Sequence, residues 1–80
     1  MGWKEKIEYR EFVLFCDIYR SRTEIEERFG LTKSESIHAL KYFSKFDDDF
    51  LVEKDVGVTG KAWWIKSRPE ALEYWRSREQ

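Results

Sequence analysis

Two helix starts lie nine residues apart in the middle of this chain, and that spacing limits the folds open to it. Thr23 opens "TEIE" and Thr32 opens "TKSE". A Thr followed three residues later by Glu is a capping box. The hydroxyl accepts from a free amide of the first turn, and the carboxylate accepts from the amide of the capping residue. The first of these helices, "EIEERF", is short, and Gly30 ends it as a left-handed cap. Two helices joined only by "FGLT" must cross at a large angle.

That geometry is a helix-turn-helix. Ahead of it, periodicity predicts a first helix over residues 4–20. Tyr9, Phe12, Val13, Phe15, Cys16 and Tyr19 recur there at helical spacing, with Leu14 and Ile18 partly outside the stripe. A helix apolar nearly all round needs cover on more than one side, and in so small a domain a second subunit can supply it. The third helix is predicted over residues 33–46. It sets Ser36, Ile37, Leu40 and Phe43 on one side and Ser34, His38, Lys41 and Lys45 roughly opposite, with Glu35 and Tyr42 on the flank. After "DDD" the period changes. "FLVEKDV" and "KAWWIK" are rich in β-branched and aromatic residues, and "GVTG" separates them, with Gly57 and Gly60 supplying a hairpin turn. "SRPE" offers a third capping box, Ser67 with Glu70, and places Pro69 in the first turn, where its missing amide costs little. The last helix puts Ala71, Leu72 and Trp75 on one face.

Eighty residues make one domain, 1–80, with a small core and a thin stability margin. Fifteen Lys and Arg stand against sixteen Asp and Glu, a formal charge of −1. A nucleic-acid-binding domain is usually clearly basic, but here the acid is concentrated. Residues 47–55 hold five acidic residues and one basic, so the remainder of the chain is mildly positive. A local basic face is compatible with that distribution.

Helix, tight helix-turn-helix and two-stranded hairpin follow in the order of a winged helix domain. The stretch "LTKSESIHALKYFSKFDDDFLVEK" resembles the recognition-helix-to-wing segment of winged helix-turn-helix transcription regulators, with Leu31, Thr32, Leu40, Phe43, Leu51 and Val52 matching. The resemblance covers residues 9–66. It implies an α+β fold of three helices and a two-stranded wing, here with an additional C-terminal helix. It also implies double-stranded DNA as partner and transcription regulation as function. The extra helix and the apolar first helix are similar to small dimeric winged helix proteins of archaea and their viruses. Two departures stand out. Asp49 and Phe50 replace the Gly that often precedes the wing strand, and the recognition helix carries no Arg, the side chain best suited to reading guanine.

In the DNA-reading arrangement the third helix enters the major groove. Ser34, His38 and Tyr42 are then the candidates for base edges, and Lys33, Lys41 and Lys45 for phosphates. Thr32 would offer its hydroxyl, and the helix start its free amides, to a phosphate. At the wing tip, Lys61 and Thr59 would meet the minor groove or the backbone. Arg20 and Arg22 flank the second helix and would serve as further phosphate ligands or as solvated charge. The same polar residues on an exposed helix also serve solvation alone.

No catalytic constellation is legible. His38 has no nucleophile and orienting partner, and one Cys with one His cannot build a structural zinc site. "DDD" fits no standard calcium loop and reads as a solvated turn. The expectation is therefore a binding protein, not an enzyme, with no cofactor and no metal. The single cysteine suits a reducing compartment, no apolar run approaches a membrane span, and the charged N-terminus is unlike a secretory signal. Lys6 stands where a myristoylation signal expects Ser or Thr. The expectation is an intracellular protein, cytoplasmic or nucleoid-associated. Six Phe, four Tyr and four Trp are unusually many for this length. Trp63 and Trp64 alternate to opposite faces of their strand, so one of them needs cover from the last helix, a partner chain or a ligand. A homodimer supplies such cover. The rival reading is a winged helix used as a protein-interaction module in a transcription or replication assembly.

Overall fold

The computed structural model describes residues 2–55 and 62–78. The apolar stripe at the N-terminus predicts one long helix, but the backbone breaks it. A single 3-10 turn spans Trp3–Glu5, Glu8 is extended at ψ 133°, and helix α1 covers only Tyr9–Phe15. Packing explains the break. Trp3 turns back onto the third helix, its ring 5.2 Å from Tyr42 and 5.5 Å from Phe43, and Ile7 is buried in the core. A continuous helix would carry both away from that surface.

Past α1 the chain forms a two-residue strand β1, Arg20–Ser21, and then helix α2, Arg22–Phe29. The Arg20 Nε donates to the Phe15 carbonyl at 2.9 Å, satisfying one acceptor at the helix end. Helix α2 starts two residues earlier than "TEIE" suggests. Ser21 is its N-cap, accepting from the Glu24 amide, while Glu24 accepts from the Ser21 amide at 2.9 Å. The chemistry is the expected capping box, on a different Ser/Thr–Glu pair. Once Arg20 and Ser21 pair with the sheet, Ser21 is already extended and takes the cap. Glu26, freed from capping, instead pairs with Arg22 and accepts from the Ser36 hydroxyl at 2.6 Å.

Gly30 ends α2 at φ 69°, the left-handed conformation that only glycine adopts without strain. Helix α3 follows over Lys33–Phe43, with Thr32 and Glu35 forming the predicted capping box. The chain tightens after Phe43. The Lys45 and Phe46 amides donate to Tyr42 and Phe43 at 3.2 and 3.0 Å, so the regular helix stops three residues short of Phe46.

Strands β2, Phe50–Asp55, and β3, Ala62–Ser67, pair antiparallel as the hairpin signal predicts. The sheet is larger than that hairpin. β1 adds to the far side of β3, giving a three-stranded antiparallel sheet in the order β1-β3-β2. Helix α4, Pro69–Ser77, closes the described chain with Pro69 in its first turn. The predicted Ser67–Glu70 cap is absent. Arg68 is the N-cap, and Ser67 is 1% exposed, with its hydroxyl donating to the Val13 carbonyl at 2.6 Å. Strand alternation turns Ser67 to the same face as the buried Ile65, and the α1 carbonyl there gives its hydroxyl a partner.

The described residues thus form an α+β fold of four α-helices and one antiparallel sheet, an order compatible with a winged helix. Its core contains a cluster of phenylalanines. Phe12 and Phe43 stack at 4.0 Å and 12°, and Phe50 meets both edge-on at 5.4 and 5.7 Å. Such pairs contribute about 0.5–1.5 kcal/mol each beyond the area they bury. Cys16 is fully buried, as its apolar neighbours suggest. Trp63 packs against this core, while Trp64 alternates to the other face of the sheet and is half-buried opposite Glu53 and Ser21.

Candidate nucleic-acid interface

The outward face of α3 follows directly from its inward one. Ser36, Ala39, Leu40 and Phe43 are buried, so residues on the other side of a 3.6-residue period must be exposed. Thr32, Lys33, Ser34, His38, Lys41 and Lys45 are all exposed. Ile37, expected in the core, is half-buried, and Ala39 takes the more central position. Ser34 and His38 lie one turn apart, as do His38 and Tyr42, so the three form a row along the helix. Lys33, Lys41 and Lys45 engage in no ion pair among the described residues.

The start of α3 is less open than its exposure suggests. The Thr32 hydroxyl accepts from the Glu35 amide at 3.2 Å, and the Thr32 amide donates to Glu35 at 2.9 Å. Glu35 also takes the Lys6 ammonium at 3.0 Å, and Lys6 reaches the Gly30 carbonyl at 3.3 Å. The Thr32 amide, followed by Lys6, holds the Glu35 carboxyl below the usual carboxylate range. A phosphate at this helix start would therefore meet a carboxylate already occupying the cap.

Tyr42 is 36% exposed and its ring is partly covered. It lies 5.2 Å from Trp3 and 5.2 Å from Phe46, and the Lys4 ammonium sits 4.8 Å above it. Lys4 thus joins the cations flanking α3, a placement that only the return of the N-terminus could reveal. Arg20 and Arg22, the other expected phosphate ligands, are held within the fold. Arg20 pairs with Asp17 at 3.2 Å and Glu24 at 3.4 Å, and Arg22 pairs with Glu26. Thr59 and Lys61 lie outside the described residues.

The acidic turn after α3 divides in two. Asp47 and Asp48 are exposed, as a solvated turn requires. Asp49 is half-buried and accepts from the Tyr9 hydroxyl. Burial, followed by this bond, pushes the Tyr9 phenol well above its ordinary value. The Arg68 amide donates to the Asp49 carbonyl at 2.8 Å and ties the turn to the start of α4. No group of three or more His, Cys, Asp or Glu side chains that could hold a metal ion occurs among the described residues. None of their helices is long and apolar enough to cross a membrane.

A band of aromatic contacts runs beside this face, exposed at Tyr42, Phe46 and Tyr74 and partly buried at Tyr9 and Trp75. Tyr42 meets Phe46 at 5.2 Å, Phe46 meets Tyr9 at 6.0 Å, Tyr9 meets Trp75 at 6.1 Å and Trp75 meets Tyr74 at 5.2 Å. Phe46 and Tyr74 are 36% and 49% exposed. The sequence shows the excess of rings but not that α1, α3 and α4 align them. Comparison with protein-family models, with curated proteins and with solved structures finds no match for this chain.

Proposed function

We propose that this chain is a winged helix protein that binds double-stranded DNA and regulates transcription, with α3 in the major groove and residues 56–61 as the wing. One observation carries the reading: Lys41 and Lys45, in no ion pair among the described residues, stand exposed with Ser34 and His38 on the side away from the core, and Lys33 is exposed at the helix start. The lysines anchor phosphates and fix the register, while Ser34, His38 and the open edge of Tyr42 read bases. The working unit in this reading is a homodimer that presents two recognition helices to half-sites about one DNA turn apart. It is a binding protein without catalysis or cofactor, acting in the cytoplasm or nucleoid.

A second reading rests on the aromatic band. Rings aligned from Tyr42 to Tyr74 suit a protein partner, since aromatic residues are favoured at protein interfaces. Salt separates the two readings. Fluorescence anisotropy of a labelled random-sequence duplex should report binding that weakens steeply with salt. Three lysine–phosphate contacts give a log–log slope of about −3. No binding even at low salt would refute the DNA reading and leave the aromatic band as the functional surface.

A further inference from the structure

No residue of the α3 face lines the open cleft between α1 and α2. Its volume is about 370 Å³, and its lining is Arg10, Glu11, Leu14, Phe15 and Arg28. On its core side, α1 buries Phe12 and Val13 completely, and its C-cap Cys16 is likewise buried, whereas Leu14 and Phe15 are only half-covered. Phe15 meets Phe29 edge-on at 5.8 Å, and the Arg28 guanidinium lies 4.8 Å from Phe29 and 5.9 Å from Phe15. The cleft therefore has an apolar floor and a charged rim. On that rim Glu11 and Arg28 form no ion pair among the described residues, and Arg10 reaches only Glu8, at 3.7 Å. Just beyond α1, Ile18 is 55% exposed, the most exposed large apolar side chain among the described residues.

We propose that this cleft is the seat of a second copy of the chain, packed about a two-fold axis that sets Arg28 of each copy against Glu11 of the other. An isologous interface must be self-complementary, with residue i meeting j and j meeting i. A rim carrying both signs around an apolar centre meets that condition. An acidic peptide or a small anion would use the arginines but be repelled by Glu11. A second copy uses both signs and covers Leu14 and Phe15, the side of α1 that the fold leaves half-open. The proposal deepens the homodimeric reading by naming its interface, and it is independent of how α3 meets DNA.

Sedimentation equilibrium on the full chain tests it, with wild type, Glu11→Arg, Arg28→Glu and the double variant Glu11→Arg/Arg28→Glu, each checked by circular dichroism. Both charges are exposed, so all four proteins should fold. Wild type should dimerise in the micromolar range, and each single reversal should raise the dimer dissociation constant about tenfold or more, because like charges then face each other. The double variant should return close to wild type, since the swapped pair is again complementary. A wild type that stays monomeric at millimolar concentration, single variants that dimerise as wild type does, or a double variant weaker than both singles would each overturn the proposal. So would a monomer whose Leu14 and Arg28 amide signals shift on adding phenylacetate, which would assign the cleft to a small anionic ligand. Duplex binding by the same proteins is read separately. A monomer that binds DNA defeats the interface alone, and a dimer that ignores DNA defeats the DNA reading alone.

Discussion

Single side chains in this protein often do work that their neighbours in sequence do not announce. Cys16 sits among apolar residues and is fully buried, and burial pushes its thiol from an ordinary value of 9.0 up to about 12. Below about pH 9 the thiol is protonated in both folded and unfolded chains and pH has no leverage on it. Between pH 9 and 12 the unfolded chain releases a proton that the folded chain keeps, so stability falls as pH rises. Tyr9 acts in the same direction above its ordinary value of 10.0. Between about pH 8 and about pH 10.5, wild type should lose about 2 kcal/mol more than Cys16→Ala, as measured by urea unfolding. Equal losses would mean that the thiol titrates freely in the folded chain. Ser67 is a second case. Read as a helix cap, it would be an exposed and replaceable residue. Buried against the Val13 carbonyl, its replacement by Ala should cost about 1–2 kcal/mol, and a cost of only a few tenths would show that the bond does not seat β3 on α1.

Among the secondary-structure elements, the helix starts show how local and long-range forces divide the work. The Thr32–Glu35 box is where the sequence places it, because no second Ser/Thr–Glu pair overlaps it. The α2 start moved from Thr23 to Ser21 because two capping boxes overlap in "SRTEIE", and pairing of β1 with β3 selected the earlier one. Ser21→Ala should therefore destabilise the fold by about 1 kcal/mol. Thr23→Ala, on an exposed helical position, should change stability by less than about 0.5 kcal/mol. The reverse order in thermal or urea unfolding would restore Thr23 as the cap. The first helix is shorter than its apolar stripe because periodicity records which residues are apolar, not whether one helix can bury all of them. Ile7 and Trp3 reach the core region only by leaving the α1 axis.

On the scale of the whole molecule, the exposed cations on and just beyond α3 are the feature on which the proposed DNA binding turns. Lys41→Glu combined with Lys45→Glu should abolish binding to a random duplex in anisotropy while leaving the circular dichroism spectrum unchanged, because both side chains point away from the core. Retained affinity in that variant would remove α3 from the interface. By itself, the sequence determined the tight connection from α2 to α3, the pairing of β2 with β3, the last helix and the outward-facing residues from Ser34 to Lys45. Each of these is set by chemistry within a few residues: a cap, a left-handed glycine, or a period of 3.6 or 2. Tertiary structure alone decided the third strand, the inward turn of Asp49 and Ser67, the pairing of Arg20 and Arg22, the placement of Lys4 and Lys6 against α3, and the aromatic band. Those features join residues distant in the chain or choose between competing local partners. Which partner wins depends on what the closed core brings within reach, and no spacing in the sequence encodes that.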